Sequence, residues 1–174
     1  MGENGQVSVP LWRMLAMAAS VFPVLALQSN LGALESVATA HLKRLTWLYA
    51  VAMAITCWLL YLVPAGITLP IEALAITLRA LIAWYGISLL SGVILGWRLA
   101  WAMPVTTIVF LWYWGYSSQG YYLWWEFTAR PPNDVPSLIL SGALLLIGIV
   151  AYSATPWRRY RLRPRSRMFQ TQYR

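Results

Sequence analysis

Few side chains in this sequence could do chemistry, and the one placed where charge is most expensive is Arg79. It stands inside the apolar run 73–96, where burying a charge in lipid costs ~2.5–3.5 kcal/mol even on the gentlest insertion scale. Two readings are open for this intramembrane charge. Its long stem can snorkel until the guanidinium reaches the headgroups, or it contacts an anion or substrate in an outward-facing cavity. Glu72 precedes it by seven residues, on the same helical face but two turns away, a long reach for direct contact. Glu126 and Asp134 are the other acids it could meet.

The remaining chemistry is sparse. His41 is the single histidine and Cys57 the single cysteine, so no disulfide within the chain, bis-histidine haem or His/Cys zinc set can be assembled. There is no Gly-rich phosphate loop, no clustered carboxylate pair and no nucleophile beside a base. The expectation is a protein that is not an enzyme and holds no metal or cofactor. His41, next to Lys43 and Arg44, reads as a solvated loop residue. The eleven tryptophans fall mostly where interfacial anchors belong, which outweighs a cage for a cationic ligand.

The elements that must position these residues are apolar blocks at roughly 11–28, 45–64, 73–96, 98–116 and 137–155. Each is long enough to cross a hydrocarbon core of ~30 Å at ~1.5 Å per residue. Sixty per cent of the 174 residues are hydrophobic, 10% are charged, and mean hydropathy is +0.59. A soluble domain carries about a quarter charged residues. The reading is therefore an all-α polytopic membrane protein with about five transmembrane helices and a short cytoplasmic amphipathic helix. It forms one transmembrane domain over 1–157 and a basic cytoplasmic tail over 158–174.

Charge sorting gives the threading. His41, Lys43, Arg44, Arg98 and the seven arginines from Arg158 to Arg174 fall on one side of these blocks. Glu3, Glu72, Glu126 and Asp134 fall on the other. Lys and Arg in short loops stay cytoplasmic, so the N-terminus is expected outside a cell membrane and the C-terminus inside. A net charge of +8 could also suit a nucleic-acid arm, but the tail follows directly on a span with no soluble module. Topology and attraction to anionic headgroups explain it better. Arg13 interrupts the apolar onset and no basic region precedes it, so no secretory signal peptide is expected.

Within the blocks, Pro23 is expected to kink the first span near Ala19–Phe22, with Ala16 and Ser20 forming a close-packing face. The stretch from Ser29 to Leu45 places Leu31, Leu34, Val37, Ala38 and Leu42 on one stripe. It reads either as an amphipathic helix on the cytoplasmic surface or as an extension of the second span. Pro64-Ala65-Gly66 is expected to turn the chain outside. Ser88, Gly92 and Gly96 repeat at four-residue spacing and predict a close approach by another helix. Pro104 should end an interfacial turn or kink the fourth span. Nine of the sixteen residues from Trp112 to Phe127 are aromatic, which predicts a segment lying along the outer interface.

At Leu34-Glu35-Ser36-Val37-Ala38-Thr39-Ala40-His41-Leu42-Lys43-Arg44-Leu45 the chain resembles the membrane-spanning subunits of ATP-binding-cassette exporters. More narrowly, it is similar to small actinobacterial permease-like proteins in which a short Leu-Glu-rich helix runs into a basic segment before a span. The turn Arg98-Leu99-Ala100-Trp101 also looks similar. The resemblance covers about a third of the chain. It implies a cytoplasmic helix that docks a separate ATPase subunit, with Glu35 as the partner-facing acid and Lys43 and Arg44 orienting the helix. Such permeases usually have six spans, so five imply a homodimer or a second membrane subunit. The expected function is thus a membrane subunit of an ATP-driven export system, the alternative being a non-transporting scaffold or assembly subunit of a larger complex.

Overall fold

A computed structural model describes residues 8–26, 40–117 and 122–154, with side chains from 11–26, 47–117 and 122–154. Glu35, most of the stretch from Ser29 to Leu45 and the tail 158–174 lie outside the described residues, as do the side chains of Lys43 and Arg44. Five helices account for nearly all of the described chain: α1 (Ser8–Ala26), α2 (Ala40–Thr68), α3 (Ile71–Leu95), α4 (Ala102–Trp114) and α5 (Val135–Ala154). A single 3-10 turn, Trp97–Leu99, joins α3 to α4. Three of the helices are long and apolar enough to cross a membrane: α2 from Trp47, α3 and α5.

The fourth block is shorter than expected, and the first can be followed only to Ala26, the last described residue before 40. The apolar part of α1 runs from Leu11 to Ala26. The fourth block, expected over 98–116, divides into the 3-10 turn and a helix of 13 residues. At ~1.5 Å per residue that helix rises only about 20 Å. Pro104 sits in its first turn, where a missing N–H costs nothing, so it starts this helix and does not kink one.

Nor does Pro64 turn the chain. α2 continues through Pro64, Ala65 and Gly66 to Thr68, and Pro70 follows where the chain reverses. Ala65 is fully buried against Leu81 in one of the core clusters, so packing carries the helix past its proline. Thr68 Oγ1 donates to the carbonyls of Pro64 and Ala65, and Leu69 N–H to that of Ala65, satisfying acceptors that the helix end would leave open. α1 likewise runs unbroken through Pro23.

α3 is the hub. Within its most apolar stretch 72% is buried, against 22% for α2 and α5. Trp84 at its centre is fully buried and meets Phe127 edge-on, with ring centroids 5.1 Å apart. Burying an aromatic ring of this size dominates local energetics, and the T-shaped pair adds ~0.5–1.5 kcal/mol beyond area. Ala16 and Ser20 do face the core, as their spacing predicts. Ser20 Oγ donates to the carbonyl of Leu81 at 3.1 Å, which joins α1 to α3.

Backbone-to-backbone contact between helices is not made at Gly92 or Gly96. It is made by Gly86 on α3 and Gly148 on α5. A Cβ at Gly148 would lie 2.6 Å from the carbonyl oxygen of Gly86, and one at Gly86 would run into the backbone of Leu144 and Leu145. At Gly92 the absent Cβ is replaced by the ring of Trp97. Gly96 turns the chain with φ 99°, a left-handed value that L side chains rarely adopt. Ser91 then fastens that turn: its hydroxyl donates to Leu99 O at 2.6 Å and accepts from Met103 N–H at 3.3 Å.

The contacts give the bundle two distinct ends. At one, Trp47 near the start of α2 and Trp97 both pack on Tyr152 near the end of α5. The basic segment Lys43-Arg44 on α2 precedes Trp47 by one turn, and Arg98 is exposed beside Trp97. At the other end, Trp12 near the start of α1 packs on Tyr61 of α2. Here lie the start of α3, with Glu72, and the loop from α4 to α5, with Glu126 and Asp134.

Candidate functional site

The second end is where the charged side chains converge. Residues 115–134 connect α4 to α5, and the described part folds back on the bundle. Gly115 N–H bonds Leu111 O, Leu123 N–H bonds Gly115 O, and Ala129 and Arg130 both donate to Glu126 O. Tyr116 and Tyr122 form an isolated antiparallel bridge across the loop's neck. Phe127 and Trp125 turn inward onto the Trp84 cluster, while Tyr113, Trp114, Tyr116 and Trp124 stay exposed. The aromatic segment is thus partly exposed and partly core.

Arg79 clamps this loop. It is 3% exposed, and all three of its nitrogens donate to backbone carbonyls: Nε to Phe127 at 3.0 Å, Nη1 to Pro131 at 2.9 Å and Nη2 to Arg130 at 2.6 Å. A planar guanidinium is suited to this because its donors spread in a fixed fork. Neither snorkelling nor a direct pair with Glu72, Glu126 or Asp134 describes it. The charge is spent inside the protein, holding three carbonyls of the loop backbone to α3.

Asp134 closes the loop's far side. It caps α5 by accepting from Ser137 N–H at 3.1 Å and from the Ser137 hydroxyl, and it pairs with Arg130 at 3.0 Å. These bonds to the ionised form hold its carboxyl below the usual aspartate range, the Ser137 hydroxyl contributing most.

Glu126 is 2% exposed, unusual for an acid outside the apolar blocks. Its Oε1 accepts from the Thr128 hydroxyl. Burial pushes the carboxyl up, opposed by the Thr128 bond and by the positive charges of Arg13 and Arg79. Glu126 also lines a cleft of about 330 Å³, together with Arg13, Trp112, Gly115, Tyr116 and Tyr122. Arg13 reaches it from α1, with its guanidinium carbon 5.9 Å from the centroid of the Tyr122 ring and its Nε buried without a hydrogen-bond partner.

Of the residues singled out in the sequence, the structure joins Arg79, Glu126 and Asp134 in one loop system and leaves Glu72 out. The sequence reading missed Arg13 as a cleft residue and Glu126 as a buried acid. The only signal was a charge of each sign, Arg13 within the first apolar block and Glu126 in the aromatic segment between the last two. Among the described residues no group of His, Cys, Asp and Glu could hold a metal ion. The chain matches no protein-family model, no curated protein and no solved structure, so the meaning of this site rests on its geometry.

Proposed function

We propose that the chain is a membrane subunit that contributes helices and a fixed outer loop to a larger membrane assembly, and forms no transport path by itself. The observation that supports this most is the filled centre of the bundle. Trp84, Leu81 and Val24 are fully buried, and the described buried serines bond helix or turn carbonyls or receive backbone donors. Arg79, the residue best placed to meet a cargo, is occupied by its own loop. The surfaces left for neighbours are apolar: Leu48, Ile55, Leu59 and Leu60 on α2, and Ile139, Leu146 and Val150 on α5. Lipid tails or partner helices suit both.

In this reading α2, α3 and α5 cross a cell membrane, and the short α4, of 13 residues, carries the chain from the Arg98 end back to the opposite face between α3 and α5. The end bearing Lys43, Arg44, Arg98 and the tail is cytoplasmic, and the loop from α4 to α5 is outside. Single cysteines at Asn133 and Gln170, in a Cys57→Ser background, test this with a membrane-impermeant thiol reagent. Labelling of Asn133→Cys in intact cells is expected, with Gln170→Cys labelled only after permeabilisation. The reverse pattern would invert the topology.

The exporter reading remains the second, and one observation favours it. α2 is a continuous helix from Ala40, so Lys43 and Arg44 are rigidly coupled to a span, as a docked ATPase would need to move one. Glu35 is the acid that such a partner would meet. Affinity purification of the full chain in mild detergent separates the two readings. A stoichiometric ATPase that is lost on Glu35→Lys returns the exporter function. Co-purification of membrane proteins alone, unaffected by Glu35→Lys, is the result expected of an assembly subunit.

A further inference from the structure

The cleft beside the loop from α4 to α5 carries an assignment that the assembly role does not require. Its two charged walls have opposite sign and come from different elements: Arg13 from α1 and Glu126 from the loop. Among the described residues the one ion pair is Arg130–Asp134, so Arg13 and Glu126 face a shared space without bridging it. Arg13 keeps a buried Nε donor with no acceptor. Thr128 takes Oε1 of Glu126, and Oε2 stands beside Gly115, which leaves no room there even for a methyl group. The rings of Tyr116, Tyr122 and Trp112 line the same cleft.

We propose that this cleft binds a zwitterion, with an anionic group on Arg13 and a primary ammonium on Glu126, its body held among the three rings. Each half fits a stated need. The anion supplies the acceptor that the Arg13 guanidinium lacks, in a charge-assisted bond. The ammonium brings N–H donors and a positive charge that offset the cost of burying the ionised Glu126 carboxyl, and ring faces favour a cation nearby. A volume of about 330 Å³ is at the small end of ligand sites, which run from ~300 to 1,000 Å³. The cleft's own rings, Trp112, Tyr116 and Tyr122, are exposed, and rings with polar tips suit the headgroup level of a bilayer. That setting points to the phosphoethanolamine headgroup of a lipid as the source. The inference does not depend on the assembly role.

Calorimetric titration of the purified full chain in detergent tests it with four probes: dioctanoyl phosphatidylethanolamine, phosphatidylcholine and phosphatidylglycerol, and free phosphoethanolamine. Phosphatidylethanolamine is expected to bind at least about tenfold more tightly than the other two lipids, because choline has no N–H and glycerol no charge for Glu126. Arg13→Gln should weaken all three lipids. Glu126→Gln, which keeps an acceptor for Thr128, should abolish the preference for the ethanolamine lipid while leaving phosphatidylglycerol affinity unchanged. Free phosphoethanolamine binding as tightly as its lipid would keep the zwitterion and move its source to solution. Equal affinity for the three lipids, or a preference that survives Glu126→Gln in protein with wild-type thermal unfolding, overturns the proposal.

Discussion

Arg79→Leu is expected to release the loop between α4 and α5 and to lower stability by about 3 kcal/mol or more, while the protein still inserts. The two effects separate because they draw on different terms. Leucine removes the ~2.5–3.5 kcal/mol cost of a charge in an apolar segment, so insertion should not suffer. It also removes donors from Phe127, Arg130 and Pro131 at once. Hydrogen bonds from a charged donor contribute ~1.5–3 kcal/mol each, and a buried carbonyl left without one costs ~1–3 kcal/mol. The three share one side chain and one loop, so they do not add fully. Thermal unfolding in detergent should show the loss, and chymotrypsin should cut near Trp124, Trp125 and Phe127 much faster. Arg79→Lys should rescue little, because an ammonium cannot present the planar fork. If Lys behaves like Arg, and Leu leaves both readouts unchanged, the charge only snorkels.

Why Arg79 was legible and its partners were not follows from what each looks like in sequence. A lone charge among Ala, Ile and Leu stands out by its cost. Backbone carbonyls carry no residue type, so the sequence offered Glu72, Glu126 and Asp134 as partners when the loop's own backbone was the answer. Glu126 was hidden for a related reason. Its neighbours are aromatic, and dense aromatics read as an interfacial belt, yet Phe127 pairs with Trp84 and draws the acid inward with it. Charge sorting fared better: Glu72, Glu126 and Asp134 share one end of the bundle, and Lys43, Arg44 and Arg98 lie at the other. It depends on the number of helix reversals and not on any side-chain contact. Helix boundaries failed where local turn residues were overruled by packing, as at Pro64, whose neighbour Ala65 is buried against α3. They failed also where an apolar run hid a turn, as at Trp97–Leu99 before α4.

Glycine spacing misled in another way, and the consequence is a second large effect. Gly86 and Gly148 are 62 positions apart and share no motif, yet at them the backbones of α3 and α5 meet with no room for a Cβ. In an isolated helix Gly→Ala stabilises by ~1 kcal/mol. Gly142 on α5 and Gly66 on α2 should behave so, since a Cβ at either meets nothing within 4 Å. At Gly86 and Gly148 the sign reverses. The obstacle is backbone, not the movable end of a side chain, so the helices themselves must separate, and overpacking of this kind costs ~1–3 kcal/mol or more. Gly86→Ala and Gly148→Ala are each expected to lower stability by about 2 kcal/mol, against a small gain for Gly142→Ala. The double variant supplies the decisive comparison. Once α3 and α5 have moved apart for one methyl group, the second finds space already made. The pair should therefore cost less than the sum of the singles, by ~0.5–3 kcal/mol. Unfolding of the four variants in one detergent measures this directly. Strict additivity, or a Gly86→Ala protein as stable as Gly142→Ala, would mean that the two helices do not meet at these glycines.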